Sequence, residues 1–133
     1  MKYRCNSDIL ILSIFPHIIS IYFTTNNILY TSIIISSSVS SYFWHKHCEP
    51  KNTLLFIDYT FAGVLSLYEV NNTYMNNYDY FYTSILLNVL VLTFNKIVYI
   101  LSIYEYINYK PWHSYYHILS SLKTIFIAYI CNF

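Results

Sequence analysis

Long apolar runs, broken only by short polar segments, leave this chain few ways to fold. The first, DILILSIFPHIISIYF, stops at TTNN, and a second begins at once with ILYTSIIISSSVSSYFWH. A third, LLFIDYTFAGVLSLYEV, ends in an asparagine-rich stretch, and the last is WHSYYHILSSLKTIFIAYI. A helix needs roughly 20 mostly apolar residues to cross a bilayer. Charged residues make up only 10% of the chain, against about a quarter in soluble domains. One glycine and three prolines argue against a loop-rich or many-stranded fold. The expectation is an all-α, polytopic bundle of transmembrane helices, a single domain over residues 1–133.

The segment at about 79–108 admits two readings, one long tilted helix or two short ones turning near Asn95 and Lys96. Charge favours the first. With five helices at about 8–24, 28–47, 53–70, 79–108 and 112–131 and the N-terminus inside, Lys2, Arg4, Lys46, Lys51 and Lys110 fall on the inner side. No Lys or Arg falls in the two outer loops or the C-terminal tail, the asymmetry that the positive-inside rule describes. A basic start followed by an apolar run without a small-residue cleavage site reads as an uncleaved signal anchor. Net charge is +1, which gives no argument for a nucleic-acid partner. Cys5, Cys48 and Cys131 are odd in number and far apart, so no disulfide framework follows. The 17 tyrosines and 12 asparagines, with abundant isoleucine, resemble the output of an AT-rich genome, and scattered Tyr and Asn are discounted as signals. The sequon Asn71-Asn72-Thr73 falls on the expected outer side.

Polar residues gather at one depth. The second helix ends near His45, the third carries Asp58 about five residues in, and the last opens with His113 and His117. At 1.5 Å per residue all lie within roughly 10 Å of the inner face. Ser41 and His45 share a helix face at i and i+4, as do His113 and His117. Ser37, Ser38, Ser120, Ser121 and Thr124 extend these stripes, and Asn88, Asn95, Ser102 and Glu105 form another on the fourth segment. Polar groups facing lipid are costly, so the stripes are expected to face the interior. Two histidines at i and i+4 and a third from another helix make a three-histidine site with an open position, the catalytic zinc arrangement. Their ring nitrogens are then expected to lie within about 5 Å of one another even without metal. A carboxylate can take a proton from the bound water, and a serine can donate to an oxyanion. His47 falls off the Ser41/His45 face and reads as an interfacial side chain, Cys48 as an ordinary cysteine, and His17, after Pro16, as a kink or a packed polar contact. Lys96 either lines the bundle or marks a helix break, and Glu105 either supports the site or lies at the interface.

The order Ser41-x3-His45, then Asp58, then His113-x3-His117, in the text SSYFWHKHCEPKNTLLFIDYTFAG and WHSYYH, resembles the CREST superfamily of membrane hydrolases. That group includes alkaline ceramidases, progestin and adiponectin receptors and haemolysin III-like proteins. The resemblance implies that His45, His113 and His117 hold Zn2+, that Asp58 orients or deprotonates the metal's water, and that Ser41 supports that water or the oxyanion. The family usually has seven helices, three of them between the Asp helix and the His-x3-His helix. Only about 40 residues intervene in this chain, room for one. Because both numbers are odd, the last helix still begins on the matching face.

Three functions compete. The first is a zinc-dependent intramembrane hydrolase of a lipid amide or ester, with ceramide the leading substrate by resemblance. The second is a receptor-like or interaction protein whose metal serves structure alone, and the third a small membrane protein with incidental histidines. The expected setting is a multi-pass integral membrane protein of the endoplasmic reticulum or Golgi, with a membrane lipid as its partner.

Overall fold

The computed structural model describes residues 12, 14–47 and 52–131. Within them the chain is all-helical, with no strand: α1 Pro16–Thr24, α2 Ile28–Lys46, α3 Thr53–Asn76, α4 Phe81–Ile103 and α5 Tyr109–Ile130. A single 3-10 turn, Tyr78–Tyr80, leads into α4. Lys2, Arg4, Cys5, Cys48 and Lys51 lie outside the described residues.

Asparagines set three helix starts. Asn27, Asn52 and Asn108 are the N-caps of α2, α3 and α5, and their side chains accept from the backbone N–H of Tyr30, Leu54 and Lys110 at 2.9, 3.0 and 3.3 Å. Each such cap stabilises a helix by about 1 kcal/mol. Pro16 opens α1 at its first turn, following a turn at Ile14 and Phe15. At that position the missing N–H of proline leaves no bond unmade, and residues 1–11 and 13, on which the expected kink also depends, lie outside the described residues.

The last helix begins at Tyr109, earlier than the expected 112, residues 8–11 and 13 of the expected first helix lie outside the described residues, and the ends of α3 and α4 also differ from expectation. α3 runs on past residue 70 to Asn76. Its Asn-rich end stays helical because Thr73 and Asn76 donate side-chain hydrogen bonds to the carbonyls of Glu69 and Asn72, at 2.8 and 3.0 Å. The sequon is therefore helical and Thr73 is fully buried, a setting unlike the surface loop that an N-glycosylation acceptor occupies. α4 passes unbroken through Asn95 and Lys96 and stops at Ile103, short of residue 108. It stops in a Schellman turn: Tyr106 N–H donates to Leu101 C=O at 3.0 Å and Glu105 N–H to Ser102 C=O at 3.3 Å. Glu105 takes the left-handed position, φ 60°, that such a turn requires.

Each helix packs on its sequence neighbours, and α5 closes on α1, giving a five-membered ring. Contact across the ring, between α3 and α5, is slight. Tyr30, Ile34, Leu65 and Ala128 form the apolar layer toward one end, and Val98 and Tyr109 join α4 to α5 toward the other. Elsewhere the interior is polar. Among the described residues, buried polar or charged ones outnumber buried apolar ones, eighteen to eleven, so apolar burial does not organise the centre of this ring. Large apolar side chains such as Leu29, Phe56, Leu67, Leu90 and Leu122 point outward instead. Among the described residues, two segments, Thr53–Asn76 and Tyr78–Ile103, are long and apolar enough to cross a membrane. α2 and α5, at 19 and 22 residues, have the length but carry the serine, histidine and lysine stripes that lower their apolarity.

Candidate metal centre

α2 ends where α3 and α5 begin, and this juxtaposition gathers the polar residues. His45 is the second-last residue of α2, and His113 and His117 occupy successive turns at the start of α5. All three are buried, at 2%, 4% and 3% exposure. One ligand atom from each lies within 4.8 Å of the others. Nε2 of His45 and Nε2 of His117 are 3.0 Å apart. Two bare lone pairs do not face each other at that distance, so a proton or a cation lies between them.

The ring spacing tests whether a metal fits. A tetrahedral centre with metal–nitrogen bonds of about 2.05 Å places ligand nitrogens roughly 3.3 Å apart and ring centroids roughly 5.2 Å apart. The observed centroid separations are 5.1 Å for His45–His113, 5.1 Å for His45–His117 and 4.9 Å for His113–His117. The three rings thus form a near-equilateral set of the right size for a metal ion. Trp44 lies 5.0 Å from the His45 ring, and Tyr109 stacks on His113 at 4.7 Å. These aromatic walls restrict the rotamers of two of the three imidazoles.

Asp58, 6% exposed, is held by α2. Ser41 Oγ donates to Asp58 Oδ1 at 2.6 Å, and Ser40 Oγ makes a longer approach of 3.4 Å to the same oxygen. Ser41 thus engages the carboxylate, not a ligand. Ser41, Asp58, His113 and His117 all line one cavity of about 410 Å3, to which all five helices contribute lining residues. His45 does not line it and approaches the cluster from behind.

The cavity also sorts the remaining polar residues. Asn88, Asn95 and Lys96 of α4 line it, as do Ser37, Ser38 and Ser120. Lys96 therefore belongs to the cavity wall and not to a helix break. Ser102 donates back to Tyr99 C=O at 2.7 Å and Glu105 is exposed, so the α4 stripe ends before them. His47 is exposed, its Nδ1 2.8 Å from Phe43 C=O, away from the cluster. Ser121 donates to His117 C=O at 2.8 Å and so braces the backbone of a clustered histidine.

Two important residues, Lys123 and Glu69, were not singled out by sequence pattern. Lys123 donates to Glu69 Oε2 and, at 2.7 Å, to Asn88 Oδ1. Glu69 Oε1 accepts from Tyr30 at 2.9 Å and from Thr124 at 2.6 Å. This buried network ties α2, α3, α4 and α5 together one layer from the histidines. His17, expected as a kink or a packed polar contact, is buried, and its ring meets that of His117 edge-on with centroids 6.2 Å apart.

Gly63, the one glycine of the chain, lies mid-way along α3 in the cavity wall. A Cβ added there meets no atom within 4 Å, so close packing does not require glycine. Gly63→Ala should then raise stability by about 0.5–1 kcal/mol through helix propensity alone. A thermal or denaturant unfolding curve checks this, and a lower midpoint for the variant would show that the backbone there needs glycine after all.

Comparison of the chain with protein-family models, with curated proteins and with solved structures returns no match.

Proposed function

We propose that the chain is a multi-pass membrane protein and a zinc-dependent hydrolase of a lipid amide or ester. The single observation that carries this reading is the placement of three buried histidines, with ligand atoms within 4.8 Å of one another, beside a cavity that also receives Asp58. Support for the membrane comes from polarity. The apolar windows of Thr53–Asn76 and Tyr78–Ile103 are only 17% and 22% buried within the protein, which is unlike the core helix of a soluble domain. Water is a poor solvent for such a surface, whereas lipid is a good one, and lipid favours enclosure of polar groups in the ring. On the five-span arrangement the N-terminus is inside and the site lies near the inner face.

Zinc is the metal that best suits a set of three neutral imidazoles, and when bound it activates water and polarises a carbonyl. The chain's own residues supply the rest. Asp58 accepts a proton from the attacking water and delivers it to the leaving nitrogen or oxygen as the acyl bond breaks, yielding a carboxylic acid and an amine or alcohol. Ser41, hydrogen-bonded to Oδ1, holds Asp58 in position. The cavity accepts the acyl chain, with Leu55, Ala62, Leu65, Val91 and Leu92 as apolar lining. The order of these residues resembles that of the CREST hydrolases, and ceramide is the leading substrate by that resemblance.

The test is elemental analysis of the purified chain followed by a fluorescent-ceramide assay. One zinc per chain is expected, with turnover that a chelator removes and added zinc restores. Stoichiometric zinc without turnover across several lipid classes would favour a structural metal site. Lack of bound metal would end both readings.

A further inference from the structure

The cavity beside the cluster contains a fourth imidazole. His17 lies in the first turn of α1, is 7% exposed, and lines the cavity. Its backbone is pinned, since Pro16 precedes it and Ser20 Oγ donates to its C=O at 2.5 Å. Its ring meets that of His117 edge-on and faces the same cavity as His113 and His117.

The spacing separates His17 from the cluster. Its ring lies 6.2 Å from that of His117, against 4.9–5.1 Å between the clustered rings. That is about 1 Å too far for a fourth ligand of a tetrahedral centre. A fourth histidine ligand would close the site; with His17 outside the set, a metal held by the other three would keep one position for a molecule in the cavity. An imidazole next to that opening can donate to, or accept from, a polar atom of whatever enters.

We propose that His17 is a positioning residue that hydrogen-bonds the polar head of a ligand seated at the open face of the histidine cluster. The ligand class is an acyl compound with an amide, ester or hydroxamate head and an apolar tail. The inference rests on the metal reading above and adds a residue from α1, a helix that the motif residues do not include.

The probe is a medium-chain alkyl hydroxamic acid, titrated into the full chain loaded with Co2+ and followed by the visible absorption of the metal. His17→Phe should bind one Co2+ per chain with the spectrum of the parent protein, because no ligand is lost. Its hydroxamate Kd should rise about 5- to 10-fold, the effect of one neutral hydrogen bond. His17→Gln, which keeps a donor and an acceptor, should recover most of the affinity, and a purely structural role would not give that rescue. An unchanged Kd in His17→Phe, with a melting temperature equal to that of the parent protein, would overturn the proposal. So would loss of Co2+ in His17→Phe, which would make His17 a ligand. Failure of the parent chain to bind Co2+ at all would appear before any hydroxamate is added, and would remove the metal reading together with this one.

Discussion

Lys123→Met is expected to destabilise the folded chain by about 3–5 kcal/mol, the cost of stranding one half of a buried ion pair. Lys123 and Glu69 are 6% and 0% exposed. Without the ammonium, the Glu69 carboxylate keeps only the hydroxyls of Tyr30 and Thr124 as donors, and Asn88 Oδ1 loses the donor at 2.7 Å. Glu69→Gln should be harmful for the converse reason, because it leaves an ammonium without a counter-charge between α3, α4 and α5. The double variant removes both charges and should recover to within about 1–2 kcal/mol of the parent, since buried pairs are often replaced at little net cost. Unfolding curves for the three variants form a double-mutant cycle, and the coupling is expected to exceed the 0.5 kcal/mol or so that separates interacting from independent sites. Added salt should change it little, because screening acts weakly on buried pairs. Single variants that each cost less than about 1 kcal/mol, the worth of an exposed pair, would mean that the network is hydrated and does not bind the ring together.

Apolar runs and i, i+4 spacing made the five helices and the histidine cluster legible. Both depend on local periodicity, which a helix converts directly into facing. Boundaries were less legible. The asparagines after residue 70 read as a loop, but Thr73 and Asn76 satisfy themselves on their own helix's carbonyls, and α3 continues. Discounting asparagine as compositional bias concealed Asn27, Asn52 and Asn108, which cap three helices. His17 could not be placed from sequence, because its neighbour His117 is brought close only when α5 closes the ring on α1. Glu69 and Lys123 were within reach. They stand sixteen and fourteen residues into α3 and α5, helices that begin at the same end of the bundle. At 1.5 Å per residue that gives depths of about 24 and 21 Å. The depth argument that grouped Asp58 with His113 and His117 also pairs these two opposite charges.

His113→Ala and Asp58→Asn are expected to separate binding from chemistry. His113 belongs to the helix that provides two of the three clustered imidazoles, and its ring is 5.1 and 4.9 Å from the other two. Its removal leaves a two-histidine set, and zinc should be largely lost, with any hydrolysis lost alongside it. Asp58 is not one of the clustered residues, and its Oδ1 accepts from Ser41 Oγ at 2.6 Å. Asparagine keeps its size and can still accept from Ser41 through its side-chain oxygen, but it cannot take a proton. Zinc should therefore remain bound to Asp58→Asn, about 10- to 100-fold more weakly, as for other groups that support ligands without touching the metal. Turnover should drop by at least about 100-fold, as for loss of a general base. Ser41→Ala removes the hydrogen bond but leaves the carboxylate, so its turnover should fall between that of the parent and that of Asp58→Asn. Zinc occupancy and lipid turnover measured on the same preparations distinguish the roles. If Asp58→Asn empties the site as completely as His113→Ala, Asp58 is a ligand, and the centre has four protein donors and less room for an activated water. If Asp58→Asn changes neither zinc nor turnover, the proton acceptor lies elsewhere in the cavity and Ser41 positions nothing that reacts.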